Sequence, residues 1–339
     1  MKKFLIIIFL ISQSGILFAQ SGSYPGAFAR LGLGSRGLGK GNAMVSDIFG
    51  ENNGYYNPAL SVFQEQAFVS LGYSFLSLDR KLNFVSFAKR FDFQGESKQS
   101  AGISASWINS GVSDIDGRDN DGNPLGDLST FENQFYLGTS FLIDKNFALG
   151  VGFKLYYSKL YEELTTNSIG FDLGAIYKVN SDISLGLAVR DLGAKYKWET
   201  NTIYGSNGRT TENKFPVLIN VGGSYRLPKN LGVASLEFES QLNPKYEDKA
   251  TGTTISTKNF YYLKAGVEIQ ITPEICFRGG CDRIGLNEDD FAGSLKPGFG
   301  LGLRKSFFKN TLLGVDYSFQ LEPYSKDPIH NIGVIFKFK

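Results

Sequence analysis

The chain has 339 residues, of which 40 are glycine, 29 phenylalanine and 17 tyrosine, with only 2 cysteines and 1 histidine. A hydrophobic fraction of 42% without long apolar runs excludes a bundle of membrane helices, and so few cysteines and histidines exclude a His/Cys zinc site. Basic and acidic residues number 35 and 33, a balance that argues against nucleic acid as a partner.

The first element is a leader. Lys2 and Lys3 precede the apolar run from Phe4 to Ile11, and Leu17, Phe18 and Ala19 precede Gln20. That order predicts a secretory signal peptide over residues 1–19, with the mature chain starting near Gln20. Without Lys2 and Lys3 the 35 basic residues become 33, equal to the 33 acidic ones.

Residues 20–64 form the second element, and their core, Gly26 to Leu60, does not read as strand. Gly32, Gly34, Gly37, Gly39 and Gly41 are interleaved with Arg30, Arg36 and Lys40, and the stretch closes in an Asn57-Pro58 turn. Gly32, Gly34 and Gly37 spell G-x-G-x-x-G, but a phosphate loop needs a strand before it and a helix after it within a βαβ unit. Here a leader precedes and strands follow, so the phosphate reading is dropped.

From Gln66 onward an alternation of period two recurs about fourteen times. Along Phe147 to Tyr157 the apolar set Phe147, Leu149, Val151, Phe153 and Leu155 alternates with Ala148, Gly150, Gly152 and Lys154. Short turns such as Asp144-Lys145-Asn146 and Asn180-Ser181-Asp182 alternate with long polar connections such as Asn109 to Thr130 and Lys195 to Asn213. Runs near the 9–11 residues of a tilted membrane strand, with tight turns at one end and long loops at the other, predict an all-β fold: a transmembrane up-and-down antiparallel barrel of about 14 strands over residues 65–339. A closed barrel is the β solution that lipid permits, because an open edge leaves backbone N–H and C=O groups unpaired in hydrocarbon. This predicts a Gram-negative outer-membrane location, with lipid around the barrel and residues 20–64 as a hatch in its lumen.

The inward parity carries both signs, among them Lys154, Asp172, Arg190, Glu237, Glu239, Lys264, Glu268, Arg278, Asp282, Arg304 and Asp316. We expect them to form an internal ion-pair network that holds the hatch, with Arg30, Arg36 and Lys40 meeting Asp172, Glu237, Glu239 or Glu268. Cys276 and Cys281, five apart, fall on opposite faces of a strand and are expected to stay free. The acidic connection with Asp114, Asp116, Asp119 and Asp121 is a weak Ca²⁺ candidate; Arg118 stands where an EF-hand ligand should be, and a solvated loop of turn residues is the plainer reading. His330, the single histidine, has no nucleophile elbow or cysteine beside it, so no enzyme and no cofactor is expected.

The opening stretch, with Gly26-Ala27-Phe28-Ala29-Arg30-Leu31-Gly32, Ser35-Arg36-Gly37-Leu38-Gly39-Lys40-Gly41-Asn42-Ala43 and Tyr56-Asn57-Pro58-Ala59-Leu60, resembles the N-terminal block of the PorV/PorQ family, relatives of the long-chain fatty-acid channels of outer membranes. Phe171-Asp172-Leu173-Gly174, Arg190-Asp191-Leu192-Gly193 and the closing strand from His330 are similar too. The sequence departs from the pattern in Leu60, where a glycine usually follows Asn-Pro-Ala, and in lacking an alanine-rich stretch before Tyr56. The resemblance implies a 14-stranded barrel with a hatch and one of two roles. One is a partner subunit in type IX-like protein secretion, binding a translocon or a cargo C-terminal domain. The other is a channel for hydrophobic small molecules, whose pocket would use Phe28, Leu31, Leu33, Leu38, Met44 and Phe49 of the hatch with Phe84 facing them.

Overall fold

The computed structural model describes residues 24–51, 53–93, 99–248, 253–255, 257–287, 295–308, 311–321 and 328–338. The expected leader and its cleavage site lie outside them, as do most of the 285–296 and 322–328 connections.

Fourteen strands close into one barrel. They are β1 (Ala67–Phe75), β2 (Lys81–Asp92), β3 (Ser100–Arg118), β4 (Pro124–Leu142), β5 (Phe147–Tyr161), β6 (Leu164–Lys178), β7 (Ile183–Leu192), β8 (Val217–Arg226), β9 (Gly232–Leu242), β10 (Phe260–Thr272), β11 (Ile275–Gly285), β12 (Lys296–Phe308), β13 (Thr311–Gln320) and β14 (Ile329–Phe338). Every neighbour in the ring is antiparallel, and all but the closing pair are consecutive in the ring's numbering. The ring is sealed where β1 pairs β14, from Ala67 opposite Phe338 to Phe75 opposite His330. Closure leaves no strand edge unpaired, which is the requirement lipid sets.

The alternation decides which way each side chain faces. Along β5, Leu149, Val151, Phe153 and Leu155 are 39–46% exposed while Ala148, Lys154 and Tyr156 between them are buried. The same outward apolar face continues with Phe171, Leu187, Leu236, Phe277, Phe299 and Val334. An apolar skin over a charged interior inverts the arrangement of a water-soluble protein and suits a hydrocarbon surround. No helix among the described residues is long and apolar enough to cross a membrane. Both cysteines are free: Cys276 is buried in the lumen-facing set with Arg278, and Cys281 has the opposite parity.

The connections differ from the sequence expectation in one respect. The stretch Asn109 to Thr130, read as loop, is mostly strand: β3 and β4 each run 19 residues and stay paired, with a bulge between Val112 and Ile115, up to Gly117 opposite Gly126. Likewise Lys195–Glu199 and Thr210–Lys214 pair as a small hairpin inside the connection from β7 to β8. Polarity in these segments marks where the strands leave the apolar surround; it says nothing against backbone pairing, which a hairpin standing in water keeps.

Candidate ligand-binding site

The described residues between Tyr24 and Gln64 fill the ring. The short helix α1 (Gly34–Gly39) lies against β1 and β11 to β14, and a 3₁₀ turn, Pro58–Phe63, lies against β2 to β6, so the segment spans from one wall to the other. Glycine makes the first contact possible. Gly41 takes a left-handed φ of 59°, and a Cβ there would collide with the backbone of Cys281. On the wall, a Cβ at Gly280 would strike the backbone of Lys40 and Gly41. Backbone lies on backbone, an approach that only glycine on both sides allows.

The opposite contact rests on Asn57. Its Oδ1 accepts from Ala59 N at 3.0 Å, capping the 3₁₀ turn that Pro58 starts. Its Nδ2 donates to Val45 O at 2.8 Å within the segment, and is within 3.2 Å of the Ala175 and Leu187 carbonyls on β6 and β7. One fully buried amide thus joins segment to wall, which explains the Asn-Pro-Ala run in chemical terms.

Charge anchors the segment a third time. Arg36 reaches Asp47 at 2.7 Å, Glu268 of β10 at 3.1 Å and Glu51 at 3.5 Å. Glu268 also takes Arg278 at 2.6 Å; Arg278 and Arg304 share Asp316; and Glu51 holds Lys337 at 2.8 Å and Arg304 at 3.5 Å. Lys40 pairs with Asp47 and stands 3.3 Å from the Ser235 hydroxyl. Glu237 of β9 accepts from the backbone N–H groups of Met44 and Val45 at 3.0 and 2.9 Å.

Of the expected hatch-to-wall pairs, Arg36 meets Glu268 and the others are arranged differently. Arg30 donates to the carbonyls of Pro25 and Tyr24 at 2.9 and 3.2 Å. Lys40 turns to Asp47 in its own segment. Asp172 pairs with Lys154 at 2.8 Å, while Glu237 and Glu239 take Lys264 at 3.1 and 2.7 Å. The physical reason is proximity: neighbours across a strand pair, as Glu237 and Lys264 do, satisfy each other before a cation on the segment can reach them. Sequence reasoning missed Asp47 and Glu51, although their signal was present, two acids following two cations in the same glycine-rich stretch. The Ca²⁺ candidate does not assemble. Asp119 accepts from Asp121 N and Asn123 N at 2.9 and 2.8 Å, Asp116 pairs with Arg118, and Asp114 takes the Ser113 hydroxyl. No group of three potential ligands is found among the described residues.

Burial on its own would raise the Glu51 and Asp47 carboxyls. Lys337, Arg304 and Arg36 outweigh it at Glu51, and Arg36 and Lys40 outweigh it at Asp47, so both acids are held below the ordinary carboxylate range. A depressed acid stabilises the fold above its unfolded pKa and loses that contribution as pH falls through the folded value. The segment is therefore expected to stay docked at neutral pH and to loosen below about pH 4. Protease cleavage within residues 24–64, followed with an acid-tolerant protease from pH 7 down through the depressed folded values to about pH 1, checks this; protection unchanged over that whole range would show that the carboxylates do not hold the segment.

Between segment and wall lies an apolar cleft of about 50 Å³. Leu33, Met44 and Tyr56 line it from the segment, and Phe68, Phe84 and Ile335 line it from β1, β2 and β14. Phe84 leans over Gly72 of β1, whose missing side chain leaves it room. The Tyr56 hydroxyl is held by Leu33 N at 2.9 Å and Asn42 Oδ1 at 2.8 Å, so its ring forms a fixed side of the cleft. The larger apolar layer continues toward the loop end through Phe28, Tyr55, Ile108 and Tyr156 to Tyr196 and Phe215 of the small hairpin connection. Of the apolar residues expected on the segment, Leu33 and Met44 line the cleft, Phe28 and Leu31 belong to the layer, Leu38 is buried against the wall, and Phe49 sits under the Arg226 guanidinium at 4.6 Å.

The same architecture is known in solved channels. A mutant of TodX, described as a monoaromatic hydrocarbon channel, matches 91% of this chain and 99% of its own with 12% identity and a TM-score of 0.59. The Pseudomonas putida toluene transporter TodX matches 91% and 97% at 12% identity, TM-score 0.56. A Pseudomonas aeruginosa FadL homologue matches 90% and 97% at 12% identity, TM-score 0.50. The fold is that of the FadL-type outer-membrane barrels. At this identity the likeness carries the fold and no more. A family model described as "Family of unknown function (DUF5723)" matches residues 166–323, and no curated protein matches the chain. None of the three solved structures is a secretion component, so the implied PorV/PorQ kinship gains nothing from them.

Proposed function

We propose that this chain is a non-enzymatic outer-membrane channel for hydrophobic small molecules, with residues 24–64 as the hatch that occludes its lumen. One observation carries the reading: a cleft with Leu33, Met44, Tyr56, Phe68, Phe84 and Ile335 on its apolar side and Arg36, Glu51 and Asp316 on its polar side sits between segment and wall. A lumen filled only for rigidity gains nothing from a concave apolar surface, whereas an apolar ligand site is concave and lined in this way. The likeness to a toluene transporter supports the same reading. Partnership in protein secretion rests on the PorV/PorQ resemblance alone.

At about 50 Å³ the cleft is smaller than the roughly 150 Å³ cavity that takes benzene. A ring-sized guest therefore needs Phe84 or Met44 to turn aside, and methionine repacks readily. Uptake of radiolabelled ethylbenzene by cells carrying the folded barrel is expected to exceed that of cells with an empty vector. Equal uptake, with the barrel shown in the outer membrane by heat-shifted gel mobility, would remove the reading.

A further inference from the structure

The outward face of β2 to β5 changes character along continuous rows. Register places Lys81 of β2 opposite Gly111 of β3, Gly111 opposite Phe131 of β4, and Phe131 opposite Lys159 of β5. One outward position nearer the short turns, the same pairings align Asn83, Asn109, Asn133 and Tyr157. The next row is Val85, Trp107, Phe135 and Leu155, all exposed and apolar. The surface that meets hydrocarbon therefore ends in a shelf of three asparagines flanked by two lysines, at the end of the barrel that carries the long connections.

The shelf is bonded sideways. Asn109 Nδ2 and Trp107 Nε1 both donate to Asn133 Oδ1 at 3.0 Å, and Asn83 Nδ2 donates to Asn109 Oδ1 at 3.4 Å. An indole N–H only donates, which fixes the Asn133 amide with its oxygen toward β3 and leaves its Nδ2 without a partner among the described residues. Neither lysine lies within 4 Å of a carboxylate among the described residues, although Asp79, Glu162 and Glu163 stand in the adjoining turns. Lys81 is exposed, and Lys159 donates to Ser129 Oγ at 3.1 Å while lying 5.6 Å over the Phe131 ring. The first outward acid of β4, Asp127, is four residues beyond Phe131, about 13 Å along the strand.

Unpaired lysines bordering a lipid-facing surface attract anionic headgroups. Three strand steps separate Lys81 from Lys159, about 14 Å. That is too far for one phosphate to bridge and close to the span of a disaccharide phosphorylated at both ends. The asparagine amides between the lysines match sugar hydroxyls. We propose that the loop-end outward face of β2 to β5 binds an outer-leaflet glycolipid whose sugar headgroup carries two phosphates. Lys81 and Lys159 each take one phosphate, and the acyl chains lie on Val85, Trp107, Phe135 and Leu155. The proposal rests on the outer-membrane location and is independent of what the lumen passes.

Lipid binding to the detergent-solubilised full chain, read by native mass spectrometry, tests this with three probes: lipid A with both phosphates, its monophosphoryl form, and phosphatidylglycerol. The diphosphorylated lipid is expected to bind about tenfold more tightly than either of the others, the worth of one further charge-assisted contact. Lys81→Gln combined with Lys159→Gln should remove that preference, and Lys81→Arg combined with Lys159→Arg should keep it. Lys89→Gln combined with Lys305→Gln is the matched control. Those lysines lie over Phe91 and Phe307 at the turn end, and the same loss of charge there should leave the preference intact. Heat-shifted gel mobility shows that each variant is folded. Equal binding of the three lipids by the unaltered chain overturns the proposal. So does a preference that survives at full strength without Lys81 and Lys159, or one that falls equally in the control pair.

Discussion

Phe84→Ala is expected to destabilise the folded barrel by about 3–5 kcal/mol, the usual cost of emptying a buried phenylalanine site, and to create room for a guest. The ring is 3% exposed, stands over Gly72, and lies 3.2 Å from where a Cβ on Gly34 would be. The wall behind it is therefore backbone, which cannot collapse inward to refill the space. That places the loss near the top of the range for large-to-small changes. A ring-sized ligand should then return part of the loss, by RT ln(1 + [L]/Kd), and at equal concentration should stabilise the variant more than the wild type. Urea unfolding in lipid vesicles, with and without ethylbenzene, measures both effects. If the variant is destabilised and ethylbenzene restores nothing, the space Phe84 leaves is not accessible as a site. If it is not destabilised at all, the cleft repacks and Phe84 is no part of a gate. Phe84→Leu, losing less volume, should fall between.

That experiment depends on a residue whose place the sequence announced only in part. The channel role set Phe84 against the segment's apolar residues, while alternation assigned Lys154, Glu237, Lys264 and Arg278 to the lumen, because a period of two fixes the face of a strand whatever surrounds it. The order of short and long connections fixed the up-and-down ring in the same way. What alternation cannot give is position around the ring and height along it. Lys40 and Glu268 both belong inside, yet which acid Lys40 meets depends on how α1 lies across the lumen, and it meets Asp47. The β3–β4 hairpin was misread because polarity was taken for loop. Asn53, beside Gly54-Tyr55-Tyr56-Asn57-Pro58, reads as a turn residue, and its Oδ1 is used in that manner, accepting from Tyr55 N. The glycines of the segment mark close approach to the wall, and only the fold shows that Gly41 approaches Cys281.

Arg36→Met is expected to weaken docking of the N-terminal segment by about 3 kcal/mol, the low end of what breaking a buried pair costs. The low end is chosen because no acid is orphaned. Glu268 keeps Arg278 at 2.6 Å, Glu51 keeps Lys337 at 2.8 Å, and Asp47 keeps Lys40. What disappears is the one side chain that ties the segment's Asp47 and Glu51 to Glu268 on the wall. Two readouts separate release of the segment from loss of the barrel. Heat-shifted gel mobility should stay that of a folded barrel, while protease cleavage within residues 24–64 and single-channel conductance in a planar bilayer should both rise. Adding Glu268→Gln removes the matching negative charge. The double variant should be more stable than the sum of the two single effects implies, with a coupling of about 1–3 kcal/mol in a double-mutant cycle. Additive effects would mean that Arg36 and Glu268 do not act on each other. Unchanged conductance in a variant that has lost protease protection would mean that the segment is not what closes the lumen, and that the loop-end layer of Phe28, Tyr196 and Phe215 closes it instead.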